Sequence, residues 1–413
     1  MSLEWFIGRR YLASRRGTRF LSLITLIAIG GVTVGVMALI VVISVMTGLQ
    51  KDLRDKLLGV NPHVWVLAEG ESMRMDDWRA ALGSVRKMEG VAAAAPFVQT
   101  EVGIRNRASY SEGTILRGID PLQSGPAVTD VSATLRDHRL LPARTASGLP
   151  PLVVGEALAS RASLFRGDTV TVVSFQEARV GAAGGLVPKL RKFEVTGTFK
   201  TGMYEYDNNF MYTSIPAAQD LTGLGDAVSG LEVRVPDAMR ATEVAARITT
   251  ALGAPYRTQD WKTMNRSLFS ALKLEKLAMS VILLLIVVVA AFNIVSTLVM
   301  VVTDKTREIG ILKSMGLTSR KVLRIFMVQG LVIGIVGAVL GGAGGGLVTW
   351  AVDHFELIKI PSDIYDVGHL PVGFDPVDVA TILVSSVLIS FAATVYPAWQ
   401  AARLTPVEAI RHE

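Results

Sequence analysis

The chain of 413 residues contains no cysteine, which excludes disulfides and thiolate metal sites and leaves its redox compartment open. Histidine is scarce, at five residues, and none forms an H-x-x-x-H or H-E-x-x-H pair, so zinc-hydrolase chemistry has no ligand set. There is no G-x-S-x-G nucleophile elbow and no G-x-x-x-x-G-K-[ST] phosphate loop. Charged residues are missing from the interior of the long apolar runs, which argues against a proton or ion relay. These gaps describe a chain that is not an enzyme and binds no metal and no cofactor. If it drives transport, the energy comes from a partner.

What is present is apolar surface. Half of the residues are hydrophobic and the mean hydropathy is +0.42, too high for an ordinary soluble protein. Four runs exceed the roughly 20 residues a helix needs to cross a bilayer. The positive excess, +6 overall, sits largely beside these runs, which favours a topological role over nucleic-acid binding. The runs divide the chain into a basic interfacial helix (1–19), a first span (20–47), a large block (48–265) and a long helix containing the second span (266–303). A cytoplasmic loop (304–324), a third span (325–353), an outer loop (354–376), a fourth span (377–397) and a tail (398–413) follow. Arg9, Arg10, Arg15, Arg16 and Arg19, the basic 304–324 loop, and Arg403 with Arg411 place both termini in the cytoplasm. The expected fold is a membrane protein of four transmembrane α-helices, with a large extracytoplasmic α/β domain between the first and second. Gly31-x-x-x-Gly35 and the third span's glycines, from Gly330 to Gly346, have the spacing for close helix contact, although small residues are common in any membrane helix.

In the large block, short apolar runs alternate with turns. His63–Leu67, Val98–Ile104, Thr114–Gly118, Leu152–Val154, Val170–Val173, Phe193–Gly197 and Leu231–Val235 read as strands. Asp76–Met88, Glu156–Ser163 and Met239–Leu252 read as helices. Asp260–Lys276 reads as a helix running unbroken into the second span, and Pro397 as the end of the fourth. Gly181–Pro188 reads as a glycine-rich loop protruding between two strands, with Leu186 and Val187 as an exposed apolar pair at its tip. Lys189, Arg191 and Lys192 beside it add charge suited to steering an acidic surface.

Two further stretches are candidate sites. Wound as a helix, Thr306–Met315 places Ile309, Ile311, Leu312 and Met315 on one arc, with Glu308 in its middle, and Arg307 and Lys313 on the other. This describes a docking helix with one charged key, or equally an amphipathic helix lying on the bilayer. Val42 and Met46 sit at the outer end of the first span. There an apolar cavity would meet outer-leaflet acyl chains, and Met46 adapts to varied shapes, or simply packs on a neighbouring helix.

Several strings together resemble one family. Arg307-Glu308-Ile309-Gly310-Ile311-Leu312 with Gly316 resembles the cytoplasmic loop of the FtsX/MacB-type ABC permeases. The tail from Tyr396-Pro397-Ala398 through Ala401-Ala402-Arg403 to Pro406-Val407-Glu408-Ala409 resembles their C-terminal signature. Phe6-Ile7-Gly8-x-Arg10-Tyr11, Gly35–Leu39, Ser44-Val45-Met46-x-Gly48 and Ala291–Met300 are similar to the lipoprotein-releasing LolC/LolE branch.

The resemblance implies a MacB-like periplasmic core domain and a permease that takes triacylated lipoproteins from the outer leaflet of the inner membrane. It implies a LolD-like ATPase subunit holding ATP and Mg2+, a LolA-like periplasmic chaperone as acceptor, a second permease copy or paralogue, and contact with membrane lipid but not nucleic acid. The ATPase-coupling residues would be Arg307, Glu308, Ile309, Leu312, Lys313 and Met315. Lipoprotein would meet Val42 and Met46. Gly184, Gly185, Leu186, Val187, Pro188 and Lys189 fall where LolC carries its chaperone hook. Pro361-Ser362-Asp363-Ile364-Tyr365 looks more like LolE, and this mixture implies one permease serving both roles as a homodimer. Two alternatives stand beside release. One is FtsX-like signalling to a cell-wall hydrolase, with a smaller outer domain. The other is MacB-like efflux, in which the ATPase belongs to the same chain.

Overall fold

A computed structural model describes residues 19–70, 74–105, 110–120, 126–135, 141–143, 145–180, 186–358 and 370–405. In chain order the elements are α1 (Arg19–Val60), β1 (Val64–Ala68), α2 (Trp78–Arg86), β2 (Ala93–Arg105), β3 (Tyr110–Ile119), α3 (Asp130–Leu135), β4 (Pro151–Gly155), α4 (Glu156–Arg161), β5 (Thr169–Val180) and β6 (Leu186–Phe199). There follow α5 (Tyr204–Asn209), β7 (Phe210–Ser214), α6 (Ile215–Thr222), β8 (Gly230–Arg234), α7 (Ala241–Leu252), β9 (Tyr256–Asp260), α8 (Trp261–Met264), α9 (Arg266–Asp304), α10 (Thr306–Ser314), α11 (Ser319–His354) and α12 (Pro376–Arg403). The chain separates into two compact units, divided within α1 near Lys51 and near the start of α9 at Ser270.

In the first unit, α1, α9, α11 and α12 are long and apolar enough to cross a membrane. The 39 residues of α9 rise about 58 Å at about 1.5 Å each, nearly twice a hydrocarbon core of about 30 Å. Glycine decides how the bundle closes. Gly330 and Gly334 of α11 back onto Thr394 and Ser390 of α12, whereas Gly337, Gly341 and Gly345 back onto α1. A Cβ at Gly341 would stand 2.7 Å from the Thr33 carbonyl oxygen, so any side chain there pushes backbone away. On α1, a Cβ at Gly31 would stand 2.7 Å from Asn293 Nδ2, a close approach to α9, whereas at Gly35 it would make ordinary contact with Ile286 at 3.8 Å.

Three element boundaries differ from the sequence reading. The first helix does not stop near Met46 but runs to Val60. Gly48 is shielded by the backbone at Pro371 and Gly373, and the following turns are helix formers with a Lys56–Asp52 pair at 3.1 Å. Asp260–Lys276 is not one helix: α8 ends at Met264, with Asn265 as its cap, and α9 starts afresh at Arg266. Pro397 lies inside α12 rather than ending it. Ala398 and Ala401 are buried against Val301, Val302 and Phe326, and that packing carries the helix past the proline to Arg403.

The second unit holds nine strands. Six of them, in the order β2-β3-β7-β4-β6-β5 and back to β2, close into a barrel. β2 is long enough to serve twice: Val98–Arg105 pairs within the barrel, while Ala93–Phe97 pairs with β8 and opens the flat sheet β2-β8-β1-β9. Alternation along β1 sends Val64, Val66 and Ala68 to a core covered by α2 and α7, and Trp65 to the opposite face. Where barrel and sheet join, Arg117 of β3 and Glu232 of β8 form a buried ion pair, with the guanidinium 5.2 Å and 5.0 Å from the Trp65 and Phe97 rings. Burial pushes the Glu232 carboxyl up from the usual carboxylate range, and Arg117 opposes that shift. Two strands escaped the sequence reading. β7 is a five-residue strand held by β3 and β4, and β9 is a polar strand, YRTQD, held by β1.

Candidate functional site

The cytoplasmic helix α10 is a nine-residue segment set off from α9 by Lys305 and ended by Gly316, whose φ of 97° suits glycine. Its inner side is fixed by two residues. Ile309 is buried among Val301, Val302, Val322, Phe326, Ala398 and Ala401, the ends of three membrane helices. Lys313 Nζ donates to the carbonyl oxygens of Ala402 (2.9 Å) and Leu404 (2.6 Å), which caps α12 with a positive charge. The outer side carries Arg307, Glu308, Ile311, Ser314 and Met315, all exposed, with Leu312 at the edge. Glu308 accepts a 2.6 Å hydrogen bond from Lys305 Nζ.

Glu308 lies between Ile311, Leu312 and Met315 on this outer side, without the Ile309 that the sequence arc included. Ile309 and Lys313 do not belong to that face: both hold α10 to its own chain. Ile311, 46% exposed beside Glu308, shares this outer face although it is absent from the coupling residues that the resemblance implies. Its place in the apolar arc was the available signal.

Val42 and Met46 come together with residues far from them along the chain. They line a cleft of about 140 Å3 with Ile43 and Thr47 of α1, Glu275, Lys276 and Met279 of α9, and Asp378 of α12. Apolar and charged side chains face one space.

The glycine-rich loop proves shorter than the sequence suggested. β5 continues to Val180 and β6 begins at Leu186, with Val180 opposite Leu186 and Arg179 opposite Val187. Leu186, Val187, Pro188 and Lys189 are thus strand residues of a long hairpin, and Val187 is 57% exposed. Gly184 and Gly185 lie outside the described residues. Lys189 and Arg191 are not free charges on the hairpin. Lys189 donates to the Asp220 carbonyl oxygen, while Arg191 pairs with the Asp220 carboxylate and donates to the Ala217 carbonyl oxygen at 3.0 Å. Both tie the base of the hairpin to the last turns of α6. Among the described residues no cluster of histidine, aspartate or glutamate has the arrangement of a metal site.

Residues 280–406 match the FtsX-like permease C-terminal family, and residues 25–251 match the MacB-like periplasmic core domain. The chain is 39% identical to the lipoprotein-releasing system transmembrane protein LolC of Neisseria meningitidis serogroup B, over the full length of both. It is 35% identical to LolC of Xylella fastidiosa, over 98% of each chain. The chain belongs to the LolC/LolE family of lipoprotein-releasing permeases. LolE of Haemophilus influenzae is also similar, at 25% identity over 99% of both chains.

As a LolC/LolE-type permease, the chain is a multi-pass inner-membrane subunit of an ABC transporter and is itself non-catalytic. Its long apolar helices and the MacB-like α/β domain between the first and second of them are the family's two parts. Membership in the Lol system implies an ATPase of the LolD kind and lipoproteins as partners.

Proposed function

We propose that this permease draws triacylated lipoproteins out of the outer leaflet of the inner membrane, works as a homodimer, and hands its cargo to a periplasmic chaperone of the LolA kind. Both termini face the cytoplasm. The ATPase docks on the outer face of α10, through Arg307, Glu308, Ile311, Leu312 and Met315, and binds the ATP and Mg2+ that power the cycle. The acyl chains enter beside Val42 and Met46, and the β5–β6 hairpin around Val187 engages the chaperone.

The observation that carries this reading is the cleft at Val42 and Met46. Its apolar wall suits acyl chains, and Glu275, Lys276 and Asp378 at its rim suit the polar end of a lipid-modified polypeptide. With the termini inside, these residues come from the outer halves of three different helices. Met46 and Met279 line it with side chains that adapt to chains of different length. FtsX-like signalling would leave such a cleft without a task.

The test is a photo-crosslinker at Met46 in the purified transporter. Lipoprotein should be captured without ATP and lost on ATP addition when chaperone is present. Capture solely from positions at the inner ends of the spans would overturn the assignment.

A further inference from the structure

The apolar wall at Val42 and Met46 cannot by itself tell cargo from membrane. Every phospholipid of the leaflet carries the same kind of acyl chain as a triacylated lipoprotein, and phospholipids far outnumber the cargo. Discrimination therefore falls to the polar end of the molecule, where the two differ by one group. A phospholipid bears a phosphate anion on its glycerol. The lipid end of a triacylated lipoprotein is built from thioether, ester and amide groups and carries no charge.

The charged side chains lining the cleft are Glu275, Lys276 and Asp378, two carboxylates against one ammonium. Both carboxylates are half-buried, whereas Lys276 is exposed. None of these three side chains makes an ion pair or hydrogen bond among the described residues, so no cation neutralises either carboxylate. Asp378 is held in place twice. It lies in the first turn of α12, where the helix terminus favours negative charge, and Asp375 caps that turn by accepting from Val377 N at 2.9 Å. The segment just before α12 is fixed to α1 on either side of Met46. Gly373 N donates to the Ser44 carbonyl oxygen at 2.8 Å, and a Cβ at Gly373 would stand 2.7 Å from Gly48 N. Backbone lies on backbone there, which sets the start of α12 against the outer part of α1.

We infer that Glu275 and Asp378 exclude membrane phospholipid from the cleft by repelling its phosphate, so that the uncharged lipid end of a lipoprotein enters in preference. A phosphate at the rim meets an excess of negative charge in a half-buried space, where like charges repel more strongly than in water. The esters and amides of the cargo meet Thr47 and Gln50, which hydrogen-bond them without charge. Selection then works by rejecting the abundant competitor. The inference rests on the cleft being the entry for acyl chains, as proposed above.

The experiment uses the purified transporter without nucleotide in a nonionic detergent, with the photo-crosslinker at Met46 and a triacylated cysteinyl peptide as probe. Two competitors with identical acyl chains, diacylglycerol and phosphatidylglycerol, are titrated against capture of the probe as mole fractions of the micelle. With the rim intact, phosphatidylglycerol should need about a tenfold higher fraction for half-displacement. Glu275→Gln with Asp378→Asn should bring the two competitors within about twofold of each other. Lys276→Gln should widen the gap and Asp378→Glu should keep it, which a mere loss of packing would not do. Equal competition with the rim intact, or a ratio unmoved in the double variant, overturns the inference while capture of the probe still supports the cleft. Absence of capture with the rim intact overturns the cleft assignment, and the inference with it.

Discussion

Glu308 sits in the middle of the outward face of α10 and pairs with Lys305 across one helical turn. An exposed pair of this kind is worth about 0–1 kcal/mol, so its removal should barely change stability. Glu308→Lys is expected to leave expression and thermal unfolding unchanged, yet to abolish stimulation of the ATPase or its co-purification. Normal coupling in that variant would remove the charged-key role. The Arg117–Glu232 pair behaves in the opposite way, because both side chains are buried. Arg117→Met strands a carboxylate in the interior and should destabilise the outer domain by roughly 3–5 kcal/mol, whereas Arg117→Met with Glu232→Leu should recover most of the loss. Urea unfolding followed by tryptophan fluorescence measures both, since Trp65 lies against this pair.

Among the elements, the four long helices were legible because a bilayer demands an apolar length that little else in a sequence imitates. The seven expected strands were legible from short apolar runs, but β7 and β9 were not. Nothing in YRTQD favours a strand until β1 supplies a partner, and that pairing joins residues almost 200 apart in the chain. The hairpin shows the same limit. Its glycines pointed to a loop, but the strand pairing of Leu186 and Val187 depends on the register with β5, which local composition does not encode. Replacing Val187 by Asp keeps that ladder and changes only an exposed side chain. Folding should persist, and chaperone affinity should fall at least tenfold in a pull-down with the purified acceptor. The glycine seams are tested by Gly341→Leu, which should lose most folded protein in detergent. Gly346→Ala, where a Cβ meets nothing within 4 Å, should be tolerated.

For the whole molecule, the resemblance carried by the α10 loop and by the strings in the first two spans agrees with family membership over the full chain. The proposed lipoprotein cleft was less legible. Val42 and Met46 could be chosen from depth alone, but Glu275, Lys276, Met279 and Asp378 join them through helix packing, which periodicity within one helix cannot reveal. In the same way, the arc of α10 was visible in sequence, but which residues turn inward depends on Ala402 and Leu404, some ninety positions away.

The anchoring of α10 has a mechanical consequence. Ile309 is seated among the ends of α9, α11 and α12, and Lys313 is tied to the end of α12, so a push on α10 reaches those three spans together. Among the described residues, α1 contributes none to that cluster. It meets α11 along Gly337, Gly341 and Gly345, where one wall has no side chains to interlock with the other, and packs against Ile294 and Leu298 of α9 and Ile382 of α12. The glycine contact resists separation but offers little resistance to sliding. The smooth wall toward α11 is a bearing, while Ile294, Leu298 and Ile382 mesh α1 with α9 and α12, so a push on α10 would reach α1, and the cleft at Met46, through those two helices.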